Sequence, residues 1–145
     1  MASNKRIREI DGFISGVEEW ATKRDDMVAV ALVGSWARGA ARADSDLDVV
    51  LLTDDPGAYL EREDWIAALA PGAHLLRTGD WGAIAERRLV LPSGLEIEVA
   101  IALPSWADTA PVDPGTRAVV RDGFELIFDP RGLLAELAAA CRGSM

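Results

Sequence analysis

The chain has 145 residues, 24 acidic against 15 basic side chains, a formal net charge of −9, and half of its residues hydrophobic. That is one ordinary domain with a real core; the composition excludes a disordered chain, and the charge counts against a nucleic-acid partner. A single cysteine, Cys141, excludes an internal disulfide framework or a multi-cysteine zinc site, and the polar residues 1–8 with no 18-residue apolar run point to the cytoplasm rather than a membrane.

Ile7, Ile10, Ile14 and Val17 recur every three or four residues, which predicts an amphipathic helix over about 4–24. Gly12 and Gly16 weaken it by roughly 1 kcal/mol each relative to Ala. The continuous apolar run 27–33 reads as a buried strand ended by Gly34. A short helical turn over 35–40 and a polar, Arg-bearing connection over 39–45 follow. Residues 47–52 form the second strand, stopped by Thr53, Asp54, Asp55, Pro56 and Gly57. Residues 59–70 read as one helix closed by Pro71 and Gly72.

Residues 73–78 predict a third strand, and 81–88 read as an ambiguous stretch, with a helical turn leading into apolar 89–91. The clearest alternation is 95–101: Leu95, Ile97, Val99 and Ile101 point one way, Glu96, Glu98 and Ala100 the other. After a loop over 104–115, Asp122-Gly123 signals a tight hairpin between 117–121 and 124–129. Residues 132–140 form a last helix packing through Leu133, Leu134 and Leu137. The expected class is α/β (α+β): a mixed, twisted sheet with helices packed mainly on one face. It forms a single domain over 1–145, with a core of about 5–103 and a C-terminal hairpin and helix over about 116–142.

The chemistry concentrates between Gly34 and Leu52. Gly34 and Ser35 lie where a buried strand meets the expected helical turn, whose free N–H groups suit phosphate oxygens. Asp46 and Asp48 share a face of the second strand, with β-carbons about 7 Å apart at a rise of about 3.3 Å per residue. Two such carboxylates can grip hard divalent cations, and their mutual repulsion itself calls for a positive partner. Taken singly, an Asp-x-Asp pair or a Gly-Ser is common on solvated surfaces; the joint pattern is sharper.

Gly34-Ser35, Arg38-Gly39 and Ser45-Asp46-Leu47-Asp48 together resemble the signature of the DNA polymerase beta-like nucleotidyltransferase superfamily, in particular its small bacterial domains. The resemblance implies the polymerase-beta-like fold. It implies that Gly34 and Ser35 hold nucleotide phosphates and that Asp46 and Asp48 bind two Mg²⁺ ions. It also implies a third carboxylate from a later strand, for which Glu98 is preferred and Glu96 is the alternative. Arg42 and Ser45 join the nucleotide-binding set, Arg42 against the plainer reading of a solvated loop arginine and Ser45 as a cap at the start of the Asp strand. Arg38 divides between an acidic neighbour and a phosphate.

The implied reaction is Mg²⁺-dependent transfer of a nucleoside monophosphate, AMP from ATP first, to a hydroxyl on a small molecule such as an antibiotic or on a partner protein. A homodimer or a toxin partner is compatible with the size. The competing reading is a non-catalytic nucleotide-binding or protein-interaction scaffold. His74, the only histidine, has no evident partner. Trp36 is the tryptophan expected nearest a ligand; Trp65, Trp81 and Trp106 are expected in the core.

Overall fold

The computed structural model describes residues 3–42, 44–81 and 84–143. Helix α1 (Asn4–Thr22) opens on Ser3, whose hydroxyl accepts from Arg6 N at 3.2 Å, and it buries Ile10, Val17 and Trp20. Strands β1 (Met27–Val33) and β2 (Leu47–Thr53) follow, as their apolar runs require. The single helix expected over 59–70 is two short ones, α2 (Pro56–Leu60) and α3 (Asp64–Leu69). Pro56 starts the first, its fixed φ suiting an opening turn. Trp65 donates back across the break to the carbonyls of Tyr59 and Arg62, both at 2.9 Å.

Strand β3 (His74–Trp81) pairs with β4 (Ile84–Val90), and β4 with β5 (Glu96–Ala102). Residues 84–88 of the stretch expected to hold a helical turn are therefore strand, and 82 and 83 lie outside the described residues. Arg87 disguised the strand: the core-facing positions of β4 are Ala85, Arg87 and Leu89, so a charged residue stands where alternation demands an apolar one. Arg87 is buried along its stem and donates to the Glu86 carbonyl at 2.8 Å.

A 3-10 turn (Pro104–Ala107) leads to helix α4 (Pro114–Asp122), strand β6 (Phe124–Phe128) and helix α5 (Leu133–Gly143). The hairpin expected at Asp122-Gly123 does not form. Residues 114–122 are helical, capped by the Asp113 side chain on Gly115 N and Thr116 N with Pro114 at the first position. Gly123, at φ 141°, ends that helix.

The six strands form one mixed sheet in the order β3-β4-β5-β2-β1-β6, in which only β2 and β5 run parallel. Helices α1, α2 and α3 cover one face, over Leu47, Val49, Leu51, Ile97, Val99 and Ile101. On the other face α4 and α5 pack at the β1–β6 side, with Leu134, Leu137 and Cys141 against Ala29, Ala31 and Leu52. The helices thus lie mainly on the first face. The β2–β5–β4 part of the second carries Asp48, Glu98, Glu86 and Arg88 toward one end of the strands and apolar Val50, Ala100, Ala102 and Ile84 toward the other. Among the described residues no helix is long and apolar enough to cross a membrane.

Candidate active site

Period-two alternation puts the site on the less covered face. In β2, Leu47 and Val49 enter the first core and Asp48 points the other way; in β5, Ile97 and Val99 do the same around Glu98. Asp48 and Glu98 are direct partners in the parallel β2–β5 register. Glu98 is in turn the register partner of Arg88 on β4. Three chemically distinct side chains therefore stand in a row across neighbouring strands.

Arg88, which the sequence reading did not single out, organises this row. Its Nη1 donates to Asp46 Oδ2 at 2.8 Å and to Glu96 Oε1 at 3.2 Å, and its Nη2 is in ion-pair contact with Glu98 Oε2. One guanidinium thus joins Asp46, just before β2, to Glu98 on β5. The contact to Glu98 lacks hydrogen-bond alignment: Glu98 Oε2 and Arg88 Nε are both buried without a hydrogen bond. Glu98 stands beside Asp48 and its side chain is 18% exposed, whereas that of Glu96 is 41% exposed. Of the two, Glu98 is thus the one beside Asp48. The signal that could have found Arg88 is charge balance, since crowded carboxylates need a cation and β4 supplies one. Carboxylate crowding therefore does not by itself demand a metal.

Proton affinities follow from this packing. Burial, then the Asp46 charge, push Asp48 up to about 6, against the opposing pull of Arg88. Burial and a hydrogen bond with Glu86 push Glu98 up to about 7, again against Arg88. Glu86, two residues before Arg88 on the same face of β4, is a further acidic neighbour that sequence reasoning missed. For Arg88 itself burial works against the charge, but the hydrogen bond to Asp46 and the charge of Glu98 outweigh it, and its pKa is raised.

Gly34 is required where it stands. Its φ is 77°, and a Cβ there would lie 2.5 Å from Asp48 Oδ2, so any side chain would collide with the carboxylate. The segment after it is a turn rather than the expected short helix, closed by Arg38 N on Gly34 O at 3.2 Å and Ala40 N on Ser35 O at 2.9 Å. Ser35 is half-buried in this turn beside Asp48's strand end. Arg38 takes the acidic-neighbour role, donating to the Asp122 carbonyl at 3.0 Å and pairing with its carboxylate at 3.1 Å. Gly123 permits this docking: a Cβ on it would lie 2.6 Å from Gly34 O.

The Ser45 hydroxyl accepts from Arg42 N at 2.8 Å, and the Ser45 carbonyl accepts from Trp36 Nε1 at 3.3 Å. These two bonds tie the turn after Gly34 to the approach of Asp46. The Arg42 side chain is exposed. His74 is exposed at the start of β3, Trp65 is core as expected, and the Trp81 side chain lies outside the described residues. Trp106 is half-buried and lines the site. A cleft of about 260 Å³ runs from Gly34, Asp48 and Glu98 to Ala102, Trp106 and Val119, carboxylates at one end and an apolar wall at the other.

Asp46, Asp48 and Glu98 offer only oxygen donors, the type a hard divalent cation takes, and Glu98 Oε2, though in ion-pair contact with Arg88, accepts no hydrogen bond. Among the described residues the acidic groups do not already close into a ligand cage, and Arg88 occupies their midst.

Residues 15–75, from mid-α1 to the start of β3, match a family model described as a nucleotidyltransferase domain. That span holds Gly34, Ser35, Asp46 and Asp48. Over that span the chain is similar to nucleotidyltransferase domains. Its fold is similar to that of the Cid1 poly(U) polymerase (TM-score 0.52, 17% identity, 69% of this chain and 31% of that one). It is equally similar to a cytoplasmic RNA terminal U-transferase (TM-score 0.52, 18% identity, 73% and 33%). The chain thus spans about a third of the length of each. No curated protein sequence matches it.

These structures correct one expectation. Net charge counted against nucleic acid, yet proteins of this fold are named for RNA-end chemistry. The exclusion fails because the overall charge of one domain says little about an acceptor when the similar region is a third of the larger chains.

Proposed function

We propose that the chain transfers a nucleoside monophosphate from a nucleoside triphosphate to an acceptor hydroxyl. Asp46, Asp48 and Glu98 would hold two Mg²⁺ ions, and Gly34, Ser35, Ser45 and Arg42 would form the phosphate-binding side. The observation that carries this reading is the strand register, which sets Asp48 beside Glu98 while Arg88 joins Glu98 to Asp46.

When bound, the metal supplies neutralisation of charge on the entering and leaving oxygens. The chain's residues do the rest. Asp48 and Glu98 would present oxygen ligands to the ions from fixed positions on β2 and β5. Glu98 would also help take up the acceptor hydroxyl's proton. Gly34 brings backbone close to the phosphate path without a side chain in the way. The Trp106–Val119 wall gives an apolar surface for the base or acceptor, and positioning contributes most of the remaining rate.

The carboxylates do not select the base, so AMP has no advantage from them; the fold relatives add UTP and an RNA 3′ hydroxyl to the substrates to be tried. The test is incubation with each α-³²P-labelled triphosphate and Mg²⁺, offering RNA oligonucleotides and small polyhydroxylated acceptors in separate reactions. Label transferred to an acceptor by the wild type and not by Asp48→Asn supports the reading. No transfer from any triphosphate, together with no Mg²⁺-dependent nucleotide binding, overturns it in favour of a scaffold.

A further inference from the structure

The carboxylate centre already contains a cation of its own. We propose that Arg88 is a positioning residue that occupies the metal locus in the ion-free protein, holding Asp46 and Glu98 in place, and that it withdraws when a divalent ion binds. The inference rests on the reading of these carboxylates as metal-holding.

Three observations carry it. The guanidinium is only 15% exposed and contacts Asp46, Glu96 and Glu98 together, which is more acidic neighbours than a structural ion pair needs. Its fit is imperfect: Arg88 Nε is buried without a hydrogen bond, and Glu98 Oε2 keeps the ion-pair contact with Nη2 but accepts no hydrogen bond, which costs free energy that a better-aligned partner relieves. Finally, Arg88 has somewhere to go. A cavity of about 330 Å³ opens on its outer side, walled by Arg77, Thr78, Gly79 and Glu86. Glu86 remains as an acceptor there once Asp46 and Glu98 turn to the ion. The side chain needs only rotation, since its strand is paired on both sides.

Arginine suits this task because its charge persists at every working pH and its planar fork spans two carboxylates at once. Its residence prevents collapse or repulsion of the acidic cluster between ion-binding events. The consequence is competition: the resident charge opposes the arriving one, so ion affinity is set partly by Arg88.

The test measures Mn²⁺ binding without nucleotide, by calorimetry and by the electron paramagnetic resonance of free Mn²⁺, on wild type, Arg88→Met and Arg88→Lys, with melting temperatures with and without ion. Arg88→Met is expected to bind Mn²⁺ at least about tenfold more tightly, because a unit charge a few ångströms from the ion is removed. Its melting temperature without ion falls, and saturating Mn²⁺ recovers most of the loss. Arg88→Lys falls between. A second measurement uses wild type alone: the Arg88 Nε–Hε resonance shifts on saturation with Mg²⁺. Unchanged or weaker Mn²⁺ binding by a folded Arg88→Met, or an Arg88 resonance indifferent to bound Mg²⁺, overturns the proposal while leaving the site intact. Absence of ion binding in all three proteins overturns the metal-holding reading and this proposal with it.

Discussion

Strands β2 and β5 present two different chemistries on their two faces. Under α1–α3, Leu47, Val49, Ile97 and Val99 are all essentially inaccessible and purely apolar. One residue away, Asp48 and Glu98 stand side by side against Arg88, with acidic protons held to about pH 6 and 7. The first face is stabilised by burial, which is indifferent to pH and ions. The second gathers partly buried charge, which responds to both. A single pleat therefore separates an apolar core from a charged cluster, and substitutions on the two faces should fail in different ways.

The largest contrast is between Asp48→Ala and Ile97→Ala. Asp48→Ala is expected to lower nucleotidyl transfer by about 10²–10³-fold or more while remaining folded, as loss of a charge-stabilising group does; labelled-nucleotide turnover and circular dichroism check both halves. Ile97→Ala is expected to cost about 2–5 kcal/mol in denaturant unfolding, with transfer per folded molecule little changed.

Gly34→Ala joins the two failures. The added Cβ meets Asp48 Oδ2 and the φ of 77° disfavours it. About 1–3 kcal/mol of stability should go, with nucleotide affinity falling as the carboxylate is displaced; paired unfolding and binding titrations read both.

Acidity gives a subtler contrast. Asp48 and Glu98 bind protons more tightly in the fold than at their ordinary values of 3.8 and 4.5. Their contribution to stability is complete below those values and is lost as pH rises through about 6 and then about 7. In EDTA, the wild type should lose on the order of 1–2 kcal/mol across that window, allowing for solvent screening. Mg²⁺ should restore stability at the alkaline end, and Asp48→Asn should flatten the profile. An unchanged slope in Asp48→Asn would assign the effect to other groups.

The smallest effect lies farthest from the site. Gly16 is exposed within α1 with open space where a Cβ would stand. Gly16→Ala should raise stability by up to about 1 kcal/mol and leave transfer unchanged.

What the sequence made legible follows the same division. Strands 27–33, 47–52 and 95–101 were readable because their side chains obey a simple apolar or alternating rule, and their faces placed Asp48 and Glu98 before any coordinates. Strand β4 was not, since Arg87 breaks its alternation and Arg88 carries no motif. Helix α4 was misread because Asp122-Gly123 carries the dipeptide of a hairpin; the Asp113-Pro114 start signal, nine residues upstream of Asp122, decides in favour of a helix that Gly123 terminates. The turn after Gly34 lost its expected helix to the docking of Arg38 on Asp122, a contact between residues far apart in sequence. Local pattern thus exposed the carboxylates of the candidate site, while the groups that pair with them depend on tertiary contacts.

The most direct test of the account is calorimetric titration of the four nucleoside triphosphates, with Mg²⁺ and then with EDTA, into the wild type and Asp48→Asn. The account predicts binding of at least one triphosphate that requires Mg²⁺ and is lost in Asp48→Asn, whose melting temperature stays at or above that of the wild type. Binding that persists in EDTA or survives Asp48→Asn unchanged would contradict it.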